Sequence, residues 1–374
     1  MMTNRERILA IMDGKSPDRI PWIPRLQLWW LYHRNRGTLP EKYTNWRLRD
    51  IERDLGMGNP ARDGRVYTTR CRNVDTVVRR EGMEIVTEHI TPVGTLTSRK
   101  KRTPELDQAG IAPLDTERPL KTPEDYDVMM YIAENTEYYP CYEEYLAYEE
   151  EIGEDGYPMV VTGESPFYDY LEHLAGYEKG YYDLVDHQDK VEQLFEVMTQ
   201  KHRKELWPIV AASPARLLRH GAHYDTQITP PRLFEQYITP YIKEFAELLH
   251  RHDKVLVHHA DNDSRKILRH FADAGYDMVE CFTTAPMVNC TLKEAREAWG
   301  TSMIIWGGVP STILEDLVSD EEFEEYMVDL FRTIAPGDAF ILGVADNVTG
   351  PSKLSRVIRV GELVEEYGKY PITM

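Results

Sequence analysis

The sequence predicts a single (β/α)8 TIM barrel with an N-terminal extension and a β-hairpin insertion. Three observations predict it. The chain has 374 residues, and a barrel with insertions runs from about 250 to over 400. Short apolar runs alternate with amphipathic helical patterns through the second half. Residues suited to metal binding and acid–base work crowd the ends of those runs.

The alternation is clearest from Lys254 onward. The run KVLVHHA (254–260) reads as a buried strand, and Asp263 is expected to cap the helical pattern that ends at Gly275. A second strand covers 276–282, and Thr291 with Glu294 forms a capping box that opens the next helix. A third strand covers 302–307, and Ser319 with Glu322 forms another capping box. A fourth strand covers 338–344, and a last helix runs from about Lys353 to Tyr367. Strands without in–out alternation are buried on both faces, which requires a parallel sheet covered by helices.

The first half is less regular. Residues 20–28 suit a first strand despite two prolines. Residues 83–97 alternate around Pro92 to Gly94 and read as a hairpin insertion. Further strands are expected at 158–162 and 215–219, with helices near 167–175, 191–206 and 231–251. Together these make seven or eight βα units in one domain, residues 1–374.

The bulk properties exclude several functions. There are 63 Asp and Glu against 44 Lys and Arg, a net charge of −19, which repels phosphate backbones and anionic lipid. Nucleic acid and membranes are therefore not expected partners. Four cysteines without CxxC spacing suit a reducing, cytoplasmic setting. The N-terminus does not read as a signal peptide, and no apolar run is long enough to span a bilayer. A homodimer is compatible with the sequence.

In barrels the C-terminal strand ends carry the chemistry. Here they offer Arg25 and Gln27, then Glu164, then His223 and Asp225, then His258, His259, Asp261 and Asp263, then Glu280 and Cys281, then Asp346 and Asn347. Most have a bland alternative: Asp263 as a helix cap, Asp225 as a loop cap bonding backbone amides, and Cys281 as a core residue. The cluster Trp22, Trp29, Trp30 and Tyr32 reads either as a pocket wall, with Trp29 touching substrate, or as packing against the barrel floor. Glu280 is harder to set aside, because a carboxylate inside YDMVECF must be paired, protonated or metal-bound. His258 and Glu280 lie on successive strands about 4.8 Å apart and are expected to converge on one Zn²⁺, with Asp261 and Asp346 competing for the third position. The alternative is a metal-free, hydrogen-bonded His258–Glu280 pair. His223 and Asp225 are expected to face the same cavity.

The opening NRERILAIMDGKSPDRIPW resembles the start of the uroporphyrinogen decarboxylase-like superfamily, as do TPVGTLTSR, TGESPFYDYLEHLAG, ITPPRLFEQYITPYIKEFAELLH, CTLKEAREAWG with IIWGGVPS, and FILGVADNV. The resemblance spans nearly the whole chain and implies its barrel. That superfamily holds porphyrinogen decarboxylases and zinc-dependent methyltransferases that exchange methyl groups with a corrinoid protein. The decarboxylase pattern MRQAGRYLPEY is matched here by Arg25 and LPEKY but lacks its Gln-Ala-Gly core. The methyltransferase motif HxCG is set against HHAD, with His258 as the histidine and Ala260 for the cysteine, and Ala345 stands for a second cysteine. The resemblance implies a demethylase-type methyltransferase with an oxygen-rich Zn²⁺ site of His258, Glu280, Asp261 and Asp346. His223, Asp225 and Glu164 would act as catalysts, and Arg25, Gln27, Trp29 and Asn347 would bind a small O-methylated or otherwise methylated substrate. The methyl acceptor would be a corrinoid carried by a partner protein. A decarboxylase or lyase acting on an anionic ring compound, with Arg25 holding a carboxylate, is the alternative. A non-catalytic regulatory barrel is the third reading, disfavoured by the crowded strand ends.

Overall fold

The structure is a computed structural model that describes residues 2–374. The chain folds into two compact units. The first comprises the residues up to Gly64, Glu144–Gly163 and Ala215–Met374. The second comprises Arg65–Glu143 and Glu164–Pro214. The insertion read as a hairpin is thus only part of a larger unit.

Six parallel strands form the sheet of the first unit: β1 Met159–Val161, β2 Leu217–Ala222, β3 Val255–His259, β4 Met278–Phe282, β5 Ile304–Val309 and β6 Phe340–Val344. Their order across the sheet is their order along the chain, with no reversal. Helices follow β2 to β6, including Thr239–His250, Leu292–Trp299, Asp320–Ile334 and Leu354–Tyr367. The capping boxes at Thr291/Glu294 and Ser319/Glu322 are both present. Asp263 does not start a helix. Its Oδ1 accepts from Arg265 N, and the helix begins only at Leu268.

Two irregular segments flank the sheet. Ile23 N donates to Leu342 O and Leu342 N to Pro21 O, so the segment around Trp22 pairs with β6. Pro21 and Pro24 have no N–H to offer, which limits this first strand to a bridge. The helix Gln27–Arg36 then begins within the stretch expected to be extended. On the opposite edge Met159 N donates to Ala61 O and Gly64 N to Met159 O, so residues 58–64 pair with β1. Gly58 N also donates to Trp22 O at 2.9 Å, which joins the two flanking segments to each other.

Alternate side chains of the strands make one apolar cluster: Ile23, Met159, Leu217, Val255, Val257, Met278, Ile304, Trp306 and Ile341, with Ile8 and Ile11 of the helix Asn4–Met12. Burial of such side chains stabilises the fold by roughly 1.5–3 kcal/mol each.

The second unit contains an antiparallel sheet of Asp75–Glu81, Glu84–Thr91, Gly94–Lys101 and Leu114–Glu117. The expected hairpin is its central pair. Within this unit Tyr126 OH donates to the buried Asp183 carboxylate at 2.5 Å, and Lys179 pairs with the same group. Among the described residues no helix is long and apolar enough to cross a membrane.

Candidate functional site

The site begins with the parity of β3. Val255 and Val257 face the apolar cluster, so His259 faces the same way and His258 the opposite way. In the register of β3 with β4, His259 stands opposite Glu280. His259 Nδ1 lies 2.6 Å from Glu280 Oε1. The same carboxylate accepts from Arg62 Nη2 at 2.8 Å, and Arg219 Nη1 lies 3.6 Å away. Arg62 comes from the flanking segment 58–64 and Arg219 from β2.

The other ring nitrogen of His259 faces the strand ends. Nε2 lies 3.4 Å from Asp261 Oδ2 and 3.6 Å from Asp346 Oδ1. Asp261 also holds His223, whose Nδ1 is 2.7 and 2.8 Å from the two carboxylate oxygens. Asp346 Oδ1 accepts from Arg25, and its Oδ2 accepts from Asn347 Nδ2 at 2.8 Å. Cys281 completes the group. A break in the pairing register between Glu280 and Phe282, with Cys281 at φ 54°, turns its thiol toward Asp346 O at 3.4 Å. Gly307 permits this: a Cβ there would stand 2.5 Å from Phe282 N. Arg25, Arg62, Glu280 and Cys281 border a cavity of about 10 Å³, room for about one water.

Charge within the site is balanced by pairing. Burial opposes ionisation of Glu280, but Arg62, His259 and Arg219 outweigh it and hold the carboxyl well below its ordinary range. Burial likewise opposes a proton on His259, yet Glu280, Cys281 and Asp261 hold its affinity well above that of a free imidazole. Asp261 is pushed up by burial and pulled down further by His223 and His259, so it stays ionised.

A family model described as uroporphyrinogen decarboxylase (URO-D) matches residues 107–367, more than half of the chain. The chain belongs to that family. A solved methyltransferase from Methanosarcina mazei is 16% identical, with 98% of this chain and 99% of that chain covered and a TM-score of 0.58. At that identity the likeness is one of fold. Among curated proteins none matches.

Within this URO-D fold the expected residues divide. His258 lies apart from the cluster. Its ring stacks on Tyr224 at 4.4 Å and packs against Phe271 and Tyr276, and neither ring nitrogen has a hydrogen-bond partner. Burial keeps it neutral, its affinity for a proton well below the ordinary value. This corrects the expected His258–Glu280 pairing: period-two alternation puts the two on opposite faces. His259 takes the place, standing opposite Glu280 in the register and bonded to it.

Glu280 is bonded to His259 Nδ1 and lies behind the histidine rather than beside Asp261. Asp225 caps its loop, with Oδ1 accepting from Gln227 N and Oδ2 from Asp263 N. That is the structural alternative foreseen for it. Glu164 falls in the second unit and is not among the residues of this cluster. Gln27 is exposed at the first turn of its helix, while Trp29 is buried and donates from Nε1 to Ser352 O at 3.2 Å. Arg25, Asn347, His223, Asp261 and Asp346 all belong to the cluster.

The donor set fits a divalent metal. Among the described residues two groups qualify, His223–His259–Asp261 and His259–Cys281–Asp346, each with ligand atoms mutually within 4.8 Å. Metal–ligand bonds of about 2.1 Å in a tetrahedral site put neighbouring donors roughly 3.4 Å apart. The distances from His259 Nε2 to Asp261 and Asp346 lie in that range. Glu280 on Nδ1 is the carboxylate–histidine arrangement that aims the other nitrogen at a metal.

Proposed function

We propose that the protein is a zinc-dependent methyltransferase of the demethylase type, which moves a methyl group from a small O-methylated compound to a corrinoid on a partner protein. The observation that carries this reading is His259, held from behind by Glu280, with Asp261, Cys281 and Asp346 converging on its Nε2 side. We take the six strands and the two flanking segments as one closed eight-membered barrel, joined at Gly58 N to Trp22 O. The cluster then lies at the C-terminal mouth, where barrel enzymes carry their chemistry. No disulfide joins any of the four cysteines, which suits the cytoplasm.

Zn²⁺ bound at His259 would supply Lewis acidity to the departing oxygen. The protein's own residues do the rest. Glu280 fixes the tautomer of His259, with the proton on Nδ1 and the lone pair on Nε2. Arg62 and Arg219 keep Glu280 ionised for that task. Asp261 holds His223 by Nδ1, and Nε2 is then the nitrogen that passes a proton to the departing oxygen. The C–O bond would break with its electron pair on oxygen, the alcohol would leave with the proton from His223, and the methyl group would pass to the reduced corrinoid of the partner, whose own electron pair makes the new bond. Arg25 and Asn347 hold Asp346 in place.

The test is zinc content together with methyl transfer. Protein purified without chelator should carry about one zinc, His259→Ala almost none, and His258→Ala the parental amount. Methyl transfer from methoxylated compounds to reduced corrinoid should fall by at least about a hundredfold in His259→Ala. A zinc-free parent, or full zinc in His259→Ala, sinks the reading. A decarboxylase acting on an anionic ring is the second reading, favoured by the arginines Arg25 and Arg62 beside the cavity. Release of CO2 from a porphyrinogen would decide for it.

A further inference from the structure

Cys281 sits where a core cysteine would not. Side chains of β4 alternate, so with Glu280 facing inward the next residue belongs on the helix side with Val279. The register break after Glu280 and the left-handed backbone at Cys281 reverse this and turn the thiol to the inner side. There it meets Asp346 O at 3.4 Å and the guanidinium nitrogens of Arg25 and Arg62, each at 3.7 Å. Its Sγ, His259 Nε2 and an Asp346 oxygen are mutually within 4.8 Å.

Among the described residues, three of the seven non-glycine residues with positive φ are His223, Cys281 and Asp346. All three are donors of the two groups that share His259. Backbone conformations of this kind persist where the surroundings hold them and gather at functional sites. Asp346 is oriented by Arg25 on one oxygen and Asn347 on the other. Asp261 is engaged on both oxygens too, by His223, and it falls in the other group, with His223 and without Cys281.

We propose that Cys281 is a metal ligand, so that the ion is held by His259, Cys281 and Asp346 while Asp261 remains with His223. This rests on the metal reading above and sharpens it. A set of one sulfur, one nitrogen and one oxygen selects Zn²⁺, Co²⁺ or Cd²⁺ over Mg²⁺ and Mn²⁺. The thiol proton leaves when the metal binds, since the thiolate is the ligand.

Cobalt spectroscopy on the full chain tests the proposal. Protein stripped of metal is titrated with Co²⁺, and uptake is followed by the visible d–d bands. A near-ultraviolet sulfur-to-cobalt charge-transfer band is expected in the parent and in Cys290→Ser. Cys281→Ser should still take up Co²⁺, with at least tenfold weaker affinity, and should lack that band. Co²⁺ uptake by the parent without the band overturns the sulfur ligand and leaves the metal centre standing. No uptake by the parent overturns both. A band that survives in Cys281→Ser also overturns the proposal, since the sulfur would then come from elsewhere.

Discussion

His258 and His259 are consecutive residues on one strand, and the structure gives them opposite chemistry. His258 lies in an aromatic layer with Tyr224, Phe271 and Tyr276, carries no proton charge and makes no hydrogen bond through its ring. His259 lies among Glu280, Asp261 and Asp346 and binds its proton tightly. Both are buried. Burial alone therefore says nothing about whether a histidine is functional; the charges that face it decide. The same contrast separates two buried glutamates. Glu280 faces Arg62 and Arg219 and is ionised. Glu52 accepts from Asn59 Nδ2 at 2.7 Å, and burial pushes its carboxyl up to about 8.

The largest effect is expected at Glu280. Glu280→Gln leaves Arg62 and Arg219 without their counter-charge and His259 without its anchor. Zinc affinity should fall 10–100-fold, and unfolding free energy should fall by about 3 kcal/mol. Chelator competition and urea unfolding measure the two. If zinc affinity is unchanged, the view of Glu280 as the group that aims His259 fails.

Glu52→Gln should act in the other direction. The native carboxyl keeps its proton up to about pH 8, whereas in the unfolded chain it loses it near 4.5. The native state therefore holds the extra proton between those values, and parental stability declines as pH rises through that window. Glutamine keeps the bond from Asn59 without a charge to bury. The variant should match the parent near pH 4 and exceed it by on the order of 2 kcal/mol near pH 9. Equal differences at both ends would show that Glu52 is ionised in the native protein, like Glu280.

The smallest effect belongs to His258. His258→Phe retains the aromatic stack and removes two ring nitrogens that have no partner. We expect parental zinc content and a gain of about 1 kcal/mol in unfolding free energy. Loss of zinc in this variant would erase the distinction between the two histidines.

Much of the fold is legible in the sequence because amphipathic helices and their caps are local features. Thr291 with Glu294 and Ser319 with Glu322 bracket their helices as read. The segment 58–64 is not legible, since GNPARDG has no apolar run and only bridges its neighbours. Arg62, which neutralises Glu280, is hidden with it. Cys281 reads as a core residue because a local bulge is invisible in YDMVECF.

What the sequence by itself determined is the succession of βα units and the kinds of side chain at the strand ends. It put His223, Asp261, Asp346, Asn347 and Arg25 at strand ends, and the structure brings these side chains together. Only the tertiary structure decided which of two adjacent histidines faces the site, that Cys281 turns inward, and that Asp225 serves its own loop. The physical reason lies in the strands themselves. A strand of a parallel sheet covered on both faces is apolar on both, so its pattern carries no record of which residues face inward. That record exists only in the register between strands, where His259 stands opposite Glu280.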